Sequence, residues 1–137
     1  MILGHGIDIV DVKRIGNVYK KFGDNFLKKI LSNSERANIP VKQSEIILFL
    51  AKHWCVKEAV SKAVGCGLVN GSTLHFKDIV LSHDRLNKPI IVLTEQLYNN
   101  VIKVHDLSLK KQKDIMFHIS ISDEKNTIIA SSILEIR

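Results

Sequence analysis

The pattern that most constrains this chain lies between Ser44 and Val64. Ile47, Leu48, Leu50, Ala51, Trp54, Cys55, Ala59 and Ala63 recur at helical spacing yet spread over more than one face. A helix that is apolar on several sides has to be covered on several sides. The sequence therefore predicts a long central helix laid on a sheet, in an α+β fold. Gly65 and Gly67 end it, as a glycine just past a helix does. Ala51, Cys55, Glu58 and Lys62 share one stripe of this helix. A carboxylate on such a stripe loses hydration and needs a cation, hydrogen-bond donors or a raised pKa. An ordinary Glu58–Lys62 surface pair is the plain alternative. Lys52, His53 and Lys57 are expected on the polar parts of the helix.

The flanking segments supply the sheets. Met1 to Val10 alternates as a first strand, with Gly4, Gly6 and Asp8 on one side. Asp is disfavoured inside a strand. Gly4 and Gly6 are expected to clear space in front of the Asp8 carboxylate. Asp11 is the better cap for the helix that follows, whose apolar stripe is Val12, Ile15, Tyr19 and Phe22. Gly23 stops it, a short turn buries Phe26, Leu27, Ile30 and Leu31, and Ser32 to Glu35 reads as another cap before Pro40. Asn70 to Ser72 reads as a turn. Thr73 to Ser82 and Ile90 to Leu93 read as a hairpin, and Thr94 as the cap of a helix carrying Leu97 and Val101. Ser108 to Asp114 reads as a charged loop. Ile115 to Ser122 and Thr127 to Ile136 form a last hairpin around residues 123–126. His118, Ser120 and Ser122 share one face of its first strand, a stripe that could equally face solvent.

A chain of 137 residues is one domain by length. No apolar run approaches a membrane span. Cys55 and Cys66 have no metal-ligand spacing and fit reduced thiols in the cytoplasm. The formal charge of +6 favours an acidic partner. It concentrates in Lys13, Arg14, Lys20, Lys21, Lys28 and Lys29, where Asp24 is the only acid. That segment is a docking surface or a solvated face. A nucleic-acid-binding domain is the rival from another class. Against it, no stacking aromatics interleave with the bases and no helix-turn-helix or glycine-rich RNA motif occurs. A non-catalytic binding module is a second rival.

Asp8 and Glu58 come from different elements and could converge on a hard cation. Mg²⁺ is usually held by one or two carboxylates, with waters and substrate phosphates completing its shell. A lysine one turn away and backbone after Gly65 suit phosphate oxygens. The residues alone thus suggest metal-assisted chemistry on a phosphorylated small molecule.

In chain order, four stretches carry a resemblance. They are Gly4-His5-Gly6-Ile7-Asp8-Ile9-Val10, Lys57-Glu58-Ala59-Val60-Ser61-Lys62-Ala63, Gly65-Cys66-Gly67, and His118-Ile119-Ser120-Ile121-Ser122-Asp123-Glu124. Phe76-Lys77-Asp78-Ile79 and Lys88-Pro89 fit between them. Together they resemble the holo-acyl-carrier-protein synthases, the small 4′-phosphopantetheinyl transferases. The resemblance implies a single transferase domain over 1–137, with antiparallel sheets packed around the long helix, assembled as a homotrimer with active sites at subunit boundaries. It implies transfer of 4′-phosphopantetheine from coenzyme A to a serine of apo acyl carrier protein, releasing adenosine 3′,5′-bisphosphate, in fatty acid biosynthesis. Asp8 and Glu58 match the family's Mg²⁺ ligands, and Glu58 and Lys62 its catalytic pair. Lys62, Gly65, Gly67, Ser122 and Asp123 match the coenzyme A site. The acidic carrier would dock on Arg14, Lys20 and Lys21. The serine proton could go to Glu58, to a metal-bound water, or to Lys62 if its pKa is depressed. Asp123 stands where many relatives have His, Cys66 where Thr is usual, and His53-Trp54 where Arg-Phe is common. The His53 exchange would replace a permanent cation near the nucleotide by a titrating one.

Overall fold

A computed structural model of the chain describes residues 1–68, 71–107 and 114–137. The elements in order are β1 (Ile2–Asp11), α1 (Val12–Phe22), α2 (Asp24–Ile30), α3 (Asn33–Arg36) and α4 (Gln43–Val64). A 3-10 turn (Phe76–Asp78) follows, then β2 (Val80–His83), β3 (Pro89–Val92), α5 (Glu95–Val104), β4 (Ile115–Glu124) and β5 (Thr127–Ile136). One antiparallel sheet runs β1-β5-β4, and β2-β3 is a separate hairpin. This is the α+β architecture the helix pattern demands. α4 buries Leu50, Ala51, Cys55, Val56, Ala59, Val60, Ala63 and Val64 at once, against β1 and β5 on one side and α1, α2, α5 and β2 on others. Each of the larger of these side chains contributes about 1.5–3 kcal/mol on burial.

The expected caps form. The Asp11 carboxylate accepts from Lys13 N at 2.9 Å, and Thr94 Oγ1 accepts from Leu97 N at 3.2 Å. Ser32 and Glu35 make a reciprocal capping box. Gly65 takes φ +88° and its amide bonds back to Ser61 O, which closes α4. The final hairpin turns more tightly than expected. β4 runs through Glu124, so only Lys125 and Asn126 lie between the strands, with Lys125 at φ 49°.

Three expectations give way to the structure. Gly4 and Gly6 do not open space before Asp8. A Cβ on Gly4 would sit 1.9 Å from the Ala63 carbonyl oxygen, and one on Gly6 would sit 1.9 Å from that of Ala59. They are there because β1 lies backbone-to-backbone on α4. Thr73 to Ser82 is not one strand. Asp78 turns back to accept from His75 N at 2.8 Å, and its carbonyl accepts from Thr94 Oγ1, so pairing starts only at Val80. His53 and Lys57 are not on a polar face. Lys57 has no exposure at all and His53 only 6%, because the acid that draws them inward is Glu35, far away in sequence. The loop expected at 108–114 lies outside the described residues except for Asp114, and so does Asn70 of the expected 70–72 turn.

Gly6→Ala should therefore destabilise the fold by about 1–3 kcal/mol or more, because the methyl meets a carbonyl that helix geometry holds in place. Chemical denaturation checks this, and an unchanged midpoint would contradict the close approach.

Candidate active site

The approach of β1 to α4 brings the first and middle parts of the chain together at one spot. Asp8 follows Gly6 on the α4 side of β1. Lys62, near the end of α4, donates to Asp8 Oδ1 at 2.9 Å and to Ile7 O at 3.0 Å. The plain reading of Lys62 as a local partner of Glu58 is thus corrected: its ion pair spans 54 residues of sequence. Glu58, one turn before Lys62, is half-buried. Burial raises its pKa most, the nearby Asp8 charge raises it further, and Lys62 opposes both. Cys55, one turn before that, donates its thiol to Asp8 O at 3.3 Å. Burial first, and then Asp8, push this thiol up to about 12, so it is an inert neighbour. Asp8, Glu58 and Lys62 share one electrostatic field.

Lys62 is exposed, and its hydrogen bond to Asp8 raises its pKa. A lysine base needs the opposite shift. In this chain Lys62 is a permanent cation beside two acids. Among the described residues no three His, Cys, Asp or Glu side chains gather as an all-protein metal cage. Two hard carboxylates with an open solvent side suit a cation that keeps its waters, as Mg²⁺ does.

Glu58 also lines an open cavity of about 760 Å³ between α4 and the α1–α2 corner. Its walls are apolar, with Ile15, Val18, Phe26, Trp54 and Phe76, while Arg14 and Lys29 are charged members of its lining. Trp54 is held between Phe26 and Phe76, with ring centroids 6.0 and 4.6 Å away. Arg14, Lys20 and Lys21 are exposed on α1. This cleft was not legible in the sequence, since its lining comes from five separate segments.

Of the other expected site residues, Gly65 and Gly67 follow directly after the Lys62 turn and are exposed. Ser122 and Asp123 lie near the tip of the β4–β5 hairpin. β5 separates their strand from β1, about 10 Å of sheet. By register Ser122 lies opposite Ile129 and faces away from α4, while Asp123 reaches Lys52 at 3.6 Å. His53 is committed inward: its Nδ1 lies 2.8 Å from Glu35 Oε2.

Comparison with known proteins identifies the family. The profile of the 4′-phosphopantetheinyl transferase superfamily matches residues 4–128. A holo-[acyl-carrier-protein] synthase of Vibrio cholerae is 37% identical over 137 residues, covering all of both chains. The crystal structure of the Neisseria meningitidis holo-[acyl-carrier-protein] synthase superposes with a TM-score of 0.80 at 34% identity, covering 98% of this chain and 99% of that one. That of Bacillus anthracis, in complex with CoA (3′,5′-ADP), gives 0.75 at 32% identity, covering 100% and 99%. The chain belongs to the 4′-phosphopantetheinyl transferase superfamily and, within it, to the holo-[acyl-carrier-protein] synthases. It is an enzyme of that transferase class.

If the three side chains share a field, Asp8→Asn lowers the Glu58 pKa and Lys62→Met raises it. Carbon-detected NMR titration of the Glu58 carboxyl in the metal-free protein reads both directions. A Glu58 titration blind to both changes would dissolve the cluster.

Proposed function

We propose that this chain, over residues 1–137, is a Mg²⁺-dependent transferase. It moves 4′-phosphopantetheine from coenzyme A to a serine of apo acyl carrier protein and releases adenosine 3′,5′-bisphosphate, in the cytoplasm, in support of fatty acid biosynthesis. The observation that carries the reading is the 2.9 Å Asp8–Lys62 contact with Glu58 in the same field, on the residues that match the family's ligands and catalytic pair. Asp8 and Glu58 would hold Mg²⁺, which when bound supplies positive charge to the pyrophosphate oxygens. The serine oxygen attacks the β-phosphorus, and the bond from that phosphorus to the bridging oxygen breaks. Charge then grows on the leaving nucleotide. Lys62 meets that charge with an ammonium that stays protonated. The exposed backbone at Gly65 and Gly67 lets phosphate oxygens approach closely. Glu58, one turn before Lys62 and beside Asp8, is the carboxylate placed to accept the serine proton.

Expected outcomes are direct. Glu58→Gln and Asp8→Asn each reduce pantetheinylation by at least about a hundredfold with native circular dichroism, and EDTA removes the wild-type activity. Mass spectrometry of the carrier is the readout. Full activity in either variant sinks the site.

The carrier docks on Arg14, Lys20 and Lys21. Opposite charges across such a contact speed encounter and fix register. Reversing Arg14 and Lys21 to Glu should raise KM for the carrier at least about tenfold while leaving KM for coenzyme A nearly unchanged. An equal effect on both substrates rules the dock out.

The assembly is a homotrimer, with Ser122 and Asp123 completing the coenzyme A site of a neighbouring subunit. Two features support this. The sheet face turned away from α4 leaves Ile7, Ile9 and Ile129 from 39 to 65% exposed, and Ser122 lies on that same face. Equilibrium sedimentation should return three times the chain mass; a monomer at micromolar concentration would contradict it.

A further inference from the structure

Lys57 adjoins Glu58 in sequence, yet the chemistry above does not use it. It is fully buried; burial lowers its pKa, and Glu35 beside it opposes that shift. A buried charge is an expensive way to fill a core position, and an apolar side chain of similar size often serves stability as well. What distinguishes Lys57 is where its three N–H bonds go. One reaches Glu35 Oε1 at 2.6 Å, one Ile30 O at 2.7 Å, and one Phe76 O at 3.0 Å. A lysine has three donors, so all are used. Ile30 ends α2, where a helix leaves its carbonyls without internal partners. Phe76 opens the 3-10 turn. Each of these two segments carries one aromatic wall of the Glu58 cleft: Phe26, one turn before Ile30, and Phe76 itself. α4 supplies the third ring, Trp54, held between them.

Glu35 completes the tie. It is 3% exposed and accepts from four groups: Lys57 Nζ, Ser32 N at 2.9 Å, Leu81 N at 3.0 Å and His53 Nδ1 at 2.8 Å. Burial alone would raise its pKa. The His53 hydrogen bond and the Lys57 charge overcome this and hold it at about 2. Glu35 is thereby a carboxylate at physiological pH and remains an acceptor for Lys57 Nζ.

We infer that Lys57 is a positioning residue for the transferase: its ammonium clamps the C-terminal end of α2 and the Phe76 turn onto α4, and so sets the width of the cleft beside Glu58. The inference rests on the reading of that cleft as part of the transfer site. Lys57 itself, wholly buried, touches no substrate.

Trp54 is the only tryptophan in the chain, so its fluorescence reports the cleft without any assay of activity. Lys57→Met keeps length and volume but donates nothing. Ser32 N, His53 Nδ1 and Leu81 N remain as hydrogen-bond partners of Glu35. In the folded variant, acrylamide quenching of Trp54 should rise by about twofold or more. KM for apo carrier protein should rise about tenfold, because a small misplacement of a binding wall is enough to misalign the reacting serine. The dissociation constant for coenzyme A should move by less than about twofold, since its residues lie at the Lys62–Gly67 end. If Lys57→Met fails to fold, Lys57→Gln takes its place; the shorter amide keeps a donor for Glu35 and drops the pair to Ile30 and Phe76. Native Trp54 quenching, or a native carrier KM, in a folded variant overturns the inference and leaves Lys57 as a core charge only. A wild-type protein without transferase activity would defeat the functional reading instead, while Trp54 quenching would still decide whether Lys57 holds the walls.

Discussion

The contact on which the structure depends is the seating of β1 on α4 without side chains between them. Gly4 and Gly6 face the carbonyls of Ala63 and Ala59, and any Cβ there would overlap them. Small residues on both surfaces allow the two backbones this close approach. Asp8 is the next residue on that side of the strand. It emerges beside this close approach, within reach of a lysine ammonium from the last turn of α4. With a bulkier strand face, Asp8 would stand further from the helix and its charge would not reach Glu58. The polar site is a consequence of an apolar packing decision one turn away.

A second constraint acts from the other side of α4. The acid that completes the capping box of a four-residue helix also accepts from Lys57 Nζ, so a local cap becomes a long-range tie. Every donor of that ammonium and both oxygens of the carboxylate are satisfied, which is what makes a buried charge pair tolerable. The same α4 thus carries two ionic systems with opposite characters. Lys57–Glu35 is dry and saturated and holds elements together. Lys62–Asp8 is wet, with Lys62 exposed, and is free to meet a ligand. They lie five residues apart in sequence, on different sides of one helix.

The division of the expected coenzyme A residues has a topological origin. The strand order β1-β5-β4 puts the return strand between the strand that carries Asp8 and the strand that carries Ser122. Alternation along β4 then turns Ser122 to the face that α4 does not cover. A single chain therefore sets Asp8, Glu58 and Lys62 on the inner side of the sheet and Ser122 on the outer side.

Much of this was written in local pattern. The apolar breadth of α4, the glycine that ends it, the Asp11, Ser32 and Thr94 caps and the last hairpin follow from short-range periodicity and capping chemistry, which depend only on neighbours in the chain. Asp8, Glu58 and Lys62 were legible as candidates because an acid in a strand and an acid on an apolar stripe both need a reason. What the sequence could not reveal was the fate of Lys57 and His53. Helical spacing says which residues share a face but not what covers that face, and here it is Glu35, about twenty residues upstream. Nor could it show whether Gly4 and Gly6 made room for a ligand or for a helix, or that Asp78 would curl the expected long strand into a turn. Those outcomes depend on which distant groups meet once the core closes, and only the tertiary structure decides that.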